Sequence, residues 1–358
     1  MNFLFKHMKV LVIQQKMIGD VLTSSILLEA LRNKYPNARL HYLINEHTLP
    51  VVKNNPYLDK YILFTKKNEA SKLALLKLAL EIRKNKYDVV IDVYSKFSSN
   101  LISLLSSSKI KISKYKWYTH FIYTHVFNEE SKSITNAGLA VENRIKLLSP
   151  LITGAKIYIP KIYLTKKEIE SSRQFLRQSN INLDKPIYMI SVLGSSKNKT
   201  YPLQYMAQII DTIVNNTKAQ ILFNYIPNQK TEAKAVFNYC NLNTQKHIYF
   251  NVYGNSLRSF LAITSQCTAL IGNEGGAVNM AKALNIPTFT IFSPWIKKEA
   301  WSMFDDGKKH VSTHLVDVNP TLYKNMPVKT FKKDYEAMYH HFKPDTITLL
   351  LNTFLKQF

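Results

Sequence analysis

Two strand-to-helix junctions constrain this chain more than anything else in it. One is V-L-V-I-Q-Q-K-M-I-G-D-V-L at residues 10–22, and the other is L-I-G-N-E-G-G-A-V-N-M-A-K-A-L at residues 270–284. Each places glycine and a carboxylate where an apolar strand hands over to a helix, the position at which open α/β sheets present ligand-binding crevices. The pair predicts an α/β protein with two Rossmann-like domains facing each other across a cleft.

The sequence between the junctions supports that class. Residues 9–13 form a continuous apolar run suited to a buried parallel strand, and residues 21–35 bring Leu22, Ile26, Leu27, Ala30 and Leu31 round one helical face before Pro36 ends the pattern. Strands are expected at 39–44, 60–64, 87–93 and 109–112, and helices near 49–54, 69–85 and 99–105. Between about 114 and 166 the periodicity weakens and Pro150 and Pro160 interrupt it, which predicts an inter-domain region. Alternation then resumes. Helices are expected at 166–179, 202–216, 228–240, 256–264 and 277–284, and strands at 186–192, 219–223, 247–251, 268–272 and 287–291. Pro202 suits a first helical position. The expected domains are residues 1–165 and 166–330, with helices at 331–358 packing back on the first domain.

A chain of 358 residues exceeds the usual single domain of about 100–200, and 46% hydrophobic content suits a folded core. Lys6, His7 and Lys9 interrupt the apolar patch at Phe3 to Phe5, so no secretory signal is read there. No stretch has the roughly 18 uncharged apolar residues of a membrane span. Cys240 and Cys267 lack partners at metal-ligand spacing and read as buried free thiols.

The formal charge of +24 arises from 48 Lys and Arg against 24 Asp and Glu. It suits nucleic acid, acidic headgroups or phosphorylated substrates, and lysine-rich codon usage explains it equally well. Arginine occurs at only seven positions, which disfavours base readout in DNA, where Arg supplies the bidentate contacts. No nucleic-acid-binding signature accompanies the charge.

Three places carry candidate chemistry. Asp20 follows Gly19 at the first junction and can act as a general base or as a helix N-cap. In Asn273-Glu274-Gly275-Gly276 the glycines let the backbone approach a ligand and helix-start amides suit phosphate; close packing of the loop is the alternative. Gly194-Ser195-Ser196-Lys197-Asn198-Lys199 lies between strand and helix and suits a phosphate, or is simply a solvated basic loop.

Taken together and in order, the opening strand with I-G-D, Asn55-Pro56, K-T-Y-P at 199–202 and N-E-G-G-A-V-N-M-A-K-A-L-N-I-P-T resemble glycosyltransferase family 9, the lipopolysaccharide heptosyltransferases. The resemblance runs from about residue 8 to 305. It implies a glycosyltransferase-B fold with acceptor on the first domain and nucleotide-sugar on the second. It also implies inverting, metal-independent transfer without a cofactor, moving heptose from ADP-heptose onto the inner core of lipopolysaccharide or lipooligosaccharide. By resemblance Asp20 is the catalytic base, with Gly19 beside it on the acceptor side, and Lys199 contacts the donor phosphates. Ser195 and Ser196 fit the phosphate loop, and Glu232 the nucleotide ribose, with Gln229 competing for that role. Where the family reads D-T-G-x-x-H, this chain has Glu274, Gly275, Gly276 and Asn279. Glu keeps the charge at longer reach and Asn keeps hydrogen bonding without titration, which leaves the donor sugar open. Trp295 is placed to shape the base pocket.

The implied partners are a nucleotide-sugar, an anionic lipid-linked saccharide and the membrane surface, with no nucleic acid. The implied location is cytoplasmic, peripheral to the inner membrane. A same-fold transferase using another nucleotide-sugar, or a non-catalytic nucleotide- or saccharide-binding relative, remains as an alternative.

Overall fold

The computed structural model describes residues 8–324 and 328–358, so the apolar patch at Phe3 to Phe5 lies outside the described residues. The chain divides into two compact units, Met1–Tyr163 and Leu164–Phe358.

The first unit carries six strands, β1 (Lys9–Ile13), β2 (Arg39–Asn45), β3 (Lys60–Phe64), β4 (Val89–Asp92), β5 (Ile110–Lys114) and β6 (His125–Phe127). They pair in the order β3-β2-β1-β4-β5-β6, every pair parallel. The central strands β1 and β4 are apolar on both faces because helices cover both, as a parallel sheet requires. Leu75, Leu78, Ala79 and Ile82 of the helix Lys72–Lys84 pack on Leu11, Ile13 and Val90. The chain winds outward from β1 on one side and from β4 on the other. Their carboxyl ends therefore form the crevice where the strand order reverses.

The second unit pairs β7 (Ile187–Ser191), β8 (Gln220–Asn224), β9 (Ala269–Asn273), β10 (Thr288–Ile291) and β11 (His310–Thr313) in the order β11-β10-β9-β7-β8, again all parallel. Its reversal lies between β7 and β9. Each unit thus has the Rossmann-like architecture expected from the sequence.

Several expectations are corrected. The weakly periodic 114–166 stretch is no bare linker: it holds β6 and the helix Leu139–Lys146, and both belong to the first unit. The strand expected at 247–251 is absent; Ile248 makes one isolated bridge to Ile221, and a Val252-to-Tyr249 backbone bond turns the chain away. β11 falls where the sequence pattern predicts no strand. The helix expected at 69–85 breaks at Ser71, which leaves helical geometry (φ −127°, ψ 120°) and caps the second piece by accepting from the Ala74 N–H at 3.3 Å. Pro202 precedes its helix, which begins at Leu203.

The C-terminal helices pack differently from expectation. Ile347, Leu351, Phe354 and Leu355 of the helix Asp345–Leu355 join the second unit's own core, and Asn352 pairs with Asn216 at 2.8 Å. An amphipathic helix is drawn by the nearest open apolar face, here the helix Leu203–Thr217. Both cysteines are buried and free, and burial pushes each thiol up to about 12. No helix of the described residues is long and apolar enough to cross a membrane.

One ion pair ties two helices of the second unit. Glu168 accepts from Arg258 Nε at 2.7 Å and Nη2 at 2.6 Å, and also from the Thr165 N–H at 2.8 Å. The guanidinium comes first among the causes that hold its carboxyl at about 2. Because the folded value is depressed, this stabilisation is present above the ordinary carboxylate range and is lost as pH falls through about 2. Glu168→Gln should lower unfolding free energy by roughly 2 kcal/mol at pH 7. In denaturant titrations the gap between variant and parent should close towards pH 2; an equal gap at both pH values would show that charge is not its source.

Candidate functional site

In the first unit the site grows from the turn after β1. Gln14 Nε2 donates to the carbonyls of Gln15 and Lys16, both at 2.9 Å, and its Oε1 accepts from Ser24 Oγ at 3.2 Å. A buried amide thus fixes a turn whose Lys16 has φ 40°, a conformation that needs such support. The helix Ile18–Ser24 then starts early enough that Gly19 lies inside its first turn rather than in a loop. Asp20 is in that first turn too, where a carboxylate suits the helix dipole, but it is not the N-cap, which is Met17.

The carboxylate has a partner that local sequence did not reveal. Arg144 Nη2 donates to Asp20 Oδ1 at 2.7 Å. The same guanidinium donates from Nε to Ser24 Oγ at 2.8 Å and from Nη1 to the Ala140 carbonyl at 2.6 Å. Three bonds in a rigid fork fix the guanidinium, and through it the Asp20 carboxylate. Arg144 also lines a cavity of about 60 Å³ with Val93, Lys114, Phe127 and Asn143. It comes from the helix that replaced the expected linker, 124 residues away in sequence. Such pairing leaves no local motif.

In the second unit the site joins the turn after β7 to the turn after β9. Gly194 must be glycine, since a Cβ there would lie 2.3 Å from the Lys199 carbonyl oxygen. The Gly194 N–H donates to Thr200 Oγ1 at 3.0 Å, closing the turn. Ser195 and Ser196 are exposed on it, with Ser196 Oγ donating to Asn198 at 2.8 Å. Asn198 in turn is held by Ser293 Oγ at 2.8 Å and Trp295 Nε1 at 2.7 Å, both donating to its carbonyl. Trp295 therefore braces this turn, and Lys199 Nζ lies 5.6 Å from its ring centroid.

The same Nζ lies 3.3 Å from Glu274 Oε1, which is buried and has no hydrogen bond in line, so the contact is Coulombic. Gly275 follows with nothing within 4 Å of where a Cβ would stand, leaving open space above the start of the helix Gly276–Ala283. Glu274, Gly275 and Asn279 share a cavity of about 30 Å³ with Lys282, which was not foreseen. Burial lowers that ammonium to about 8.

Of the two candidates beyond β8, Gln229 reaches the site turn: its Nε2 donates to the Gly194 carbonyl at 3.0 Å. Glu232 lies on the exposed face of the helix Lys230–Tyr239. Asn273, which the sequence presents only as part of the turn, ends β9 beside Glu274 and bridges two turns. Its Oδ1 accepts from the Tyr201 N–H at 2.7 Å and its Nδ2 donates to the Ser191 carbonyl at 2.9 Å.

The arrangement can do two chemically distinct things. The first unit offers a carboxylate held in one orientation at a sheet's carboxyl edge, suited to accept a proton. The second offers a lysine and free helix-start amides around open space, suited to a phosphate.

Known proteins share this architecture. The chain is 24% identical over 324 residues to lipopolysaccharide heptosyltransferase 1 of Campylobacter coli, spanning 87% of this chain and 93% of that protein. A family 9 glycosyl transferase from Veillonella parvula superposes with TM-score 0.82 at 17% identity, covering 98% of both chains. An Escherichia coli heptosyltransferase solved with ADP-2-deoxy-2-fluoro heptose gives TM-score 0.62 at 16% identity over 92% of this chain and 99% of that one. These structural likenesses show the fold, two Rossmann-like units of the glycosyltransferase-B class. The family model for glycosyltransferase family 9 (heptosyltransferase) matches residues 75–320, more than half of the 358 residues, and the chain is a glycosyltransferase belonging to that family.

Proposed function

We propose that this protein transfers heptose from ADP-heptose, with inversion and without a metal, to the inner core of lipopolysaccharide or lipooligosaccharide. It would do so at the cytoplasmic face of the inner membrane as a peripheral protein. The observation that carries the reading is the division of chemistry between the two sheets. An oriented carboxylate stands at the reversal point of one, and a lysine with open helix-start amides at the reversal point of the other. Acceptor binding belongs to the first unit and donor binding to the second. The names of the Campylobacter relative and the Escherichia coli structure support the sugar and the nucleotide.

In this reaction the acceptor hydroxyl gives its proton to Asp20 as its oxygen bonds to the anomeric carbon. The bond from that carbon to the diphosphate oxygen breaks, and its electron pair leaves with the nucleoside diphosphate. Lys199 and the amides near Gly275 and Gly276 offset the growing charge. A second reading, a nucleotide- or saccharide-binding relative without turnover, is favoured by Glu274 and Asn279 standing where the family has Asp and His.

The test begins with thermal shifts of the whole chain against ADP-, GDP-, UDP- and CMP-linked sugars, since a ligand of the native state alone stabilises by about 2.7 kcal/mol at a hundredfold excess over Kd. ADP-heptose should give the largest shift, and adding acceptor should release ADP at a rate EDTA leaves unchanged. A larger shift with another donor would move the reading to that sugar; binding without release would establish the non-catalytic reading. Loss of release in EDTA, restored by a divalent metal, would end the metal-free mechanism.

Asp20→Asn should lower kcat by about 10²–10⁴ with donor affinity intact. Arg144→Met should lower kcat less, and the double variant should lose no more than Asp20→Asn alone, because both act on one group. Additive losses would show that Arg144 serves the reaction independently of Asp20. Lys199→Ala should weaken ADP-sugar binding by about 10–100-fold, as expected for a charge-assisted contact. Unchanged affinity by calorimetry would return Lys199 to a solvated basic loop.

A further inference from the structure

The turn after β5 in the first unit exposes an aromatic cluster that no part of the proposed reaction uses. Trp117 is 77% exposed, Phe121 73% and Tyr118 50%, and Phe97, which opens the helix after β4, is 69% exposed. The turn is firmly built. Thr119, Ile122 and Tyr123 are buried beneath it. Tyr123 OH donates to Asp92 Oδ2 at 2.6 Å and lies 2.8 Å from the Asn100 side-chain amide, pinning one end to β4 and to the helix Phe97–Leu105. Lys116 Nζ donates to the Ser95 carbonyl and pins the other end. His120 Nδ1 pairs with the Trp117 carbonyl at 2.8 Å, and the Trp117 and Tyr118 rings meet edge to face. Large rings held outward by buried anchors are a costly arrangement in water.

Charge indicates the partner. From Val93 to Phe127 there is no Asp or Glu, while Lys96, Lys109, Lys111, Lys114 and Lys116 all lie in that stretch. Lys114 pairs with Glu129 at 3.2 Å, but Lys96 is exposed beside Phe97, and Lys116 sits under Tyr118 with its Nζ 5.9 Å from the ring centroid. Trp and Tyr favour the bilayer interface, and lysines beside them favour anionic headgroups.

We propose that this turn, with Phe97, is a wedge that seats the first unit in the headgroup region of an anionic bilayer. The inference rests on the reading that the acceptor is lipid-linked. It adds where the membrane would meet the protein: β5 lies beside β4 and β4 beside β1, so the wedge shares the sheet edge that carries Asp20. A saccharide whose lipid stays in the bilayer would meet that edge without leaving the surface.

The test compares the full chain with Trp117→Ser/Phe121→Ser, two exposed positions outside the reaction machinery, after matching their melting temperatures. Sedimentation with vesicles of phosphatidylglycerol and phosphatidylethanolamine should show binding by the parent at low salt, none to pure phosphatidylcholine, and at least a tenfold weaker partition for the variant. Trp117 emission should shift to the blue on anionic vesicles, and Trp117→Phe should remove that shift. Transfer onto acceptor embedded in such vesicles should fall in the double variant, while transfer onto a delipidated soluble acceptor should not. Equal loss on both acceptors, no vesicle binding by the parent, or a parent dimer that the double variant dissolves would overturn the wedge. If neither acceptor is turned over yet the vesicle results hold, the transferase reading fails and the wedge stands.

Discussion

The second unit of this molecule depends on a single amide at the carboxyl end of β9. Where the second sheet reverses its winding, the turns after β7 and β9 would otherwise splay apart, as neighbouring parallel strands share no hydrogen bond past their ends. Asn273 bridges them, accepting from Tyr201 and donating to Ser191. The residue before it allows the close approach. Gly272 has φ 129°, and a Cβ there would stand 2.5 Å from the Ser191 carbonyl oxygen. With that bridge in place Lys199 and Glu274, on different turns, come within 3.3 Å. Tyr201 extends the constraint outward, since its buried hydroxyl donates to the Phe342 carbonyl at 2.6 Å and its ring meets Tyr339 and Phe342 edge to face. The C-terminal helices thereby set the position of the turn that carries Lys199.

The first unit solves the equivalent problem with a charge. Its reversal lies between β1 and β4, and the turn after β1 is organised by buried Gln14 rather than by a strand-end amide. Arg144 then clamps the helix Ile18–Ser24 at both ends, through Asp20 in its first turn and Ser24 at its last residue. A carboxylate on a short helix could sample several rotamers; a guanidinium whose Nε and Nη1 are committed to Ser24 and Ala140 presents Nη2 to it from one direction.

What the sequence discloses and withholds follows from the range of each interaction. Buried parallel strands read clearly, because β1, β4, β7 and β9 must be apolar on both faces and are short enough to be bounded by their turns. The edge strands β6 and β11 do not: H-V-F and H-V-S-T carry too few apolar residues to announce themselves, and they form because a finished sheet offers them an edge. Residues 247–251 show the converse, an apolar run with strand composition that a turn carries off the sheet. Among the site residues, Asp20, Lys199 and Glu274 were legible because each sits just beyond a recognisable strand. Arg144 is not, and Gln229 and Asn273 are legible as a ribose candidate and as part of the candidate turn but not in their bracing contacts, which exist only once residues 35 to 124 positions apart meet.

The two ion pairs are built for different purposes. Arg144 and Asp20 meet in a directed hydrogen bond whose donor is a fixed fork, so the pair persists and its effect is orientation. Lys199 and Glu274 meet without an aligned hydrogen bond, the ammonium on a flexible stem beside the Trp295 ring. Such a pair can be exchanged. A diphosphate offers the ammonium more charge than one carboxylate does, and the strength of the new contact grows as water is excluded. In the proposed reaction, Lys199 turning to phosphate would leave the Glu274 carboxylate, whose Oε1 is buried, without its counter-ion and in need of a hydrogen-bond donor. In that reaction a sugar hydroxyl on the donor would be such a group, and the Asp-to-Glu departure would then act on which sugar is accepted while phosphate binding is preserved.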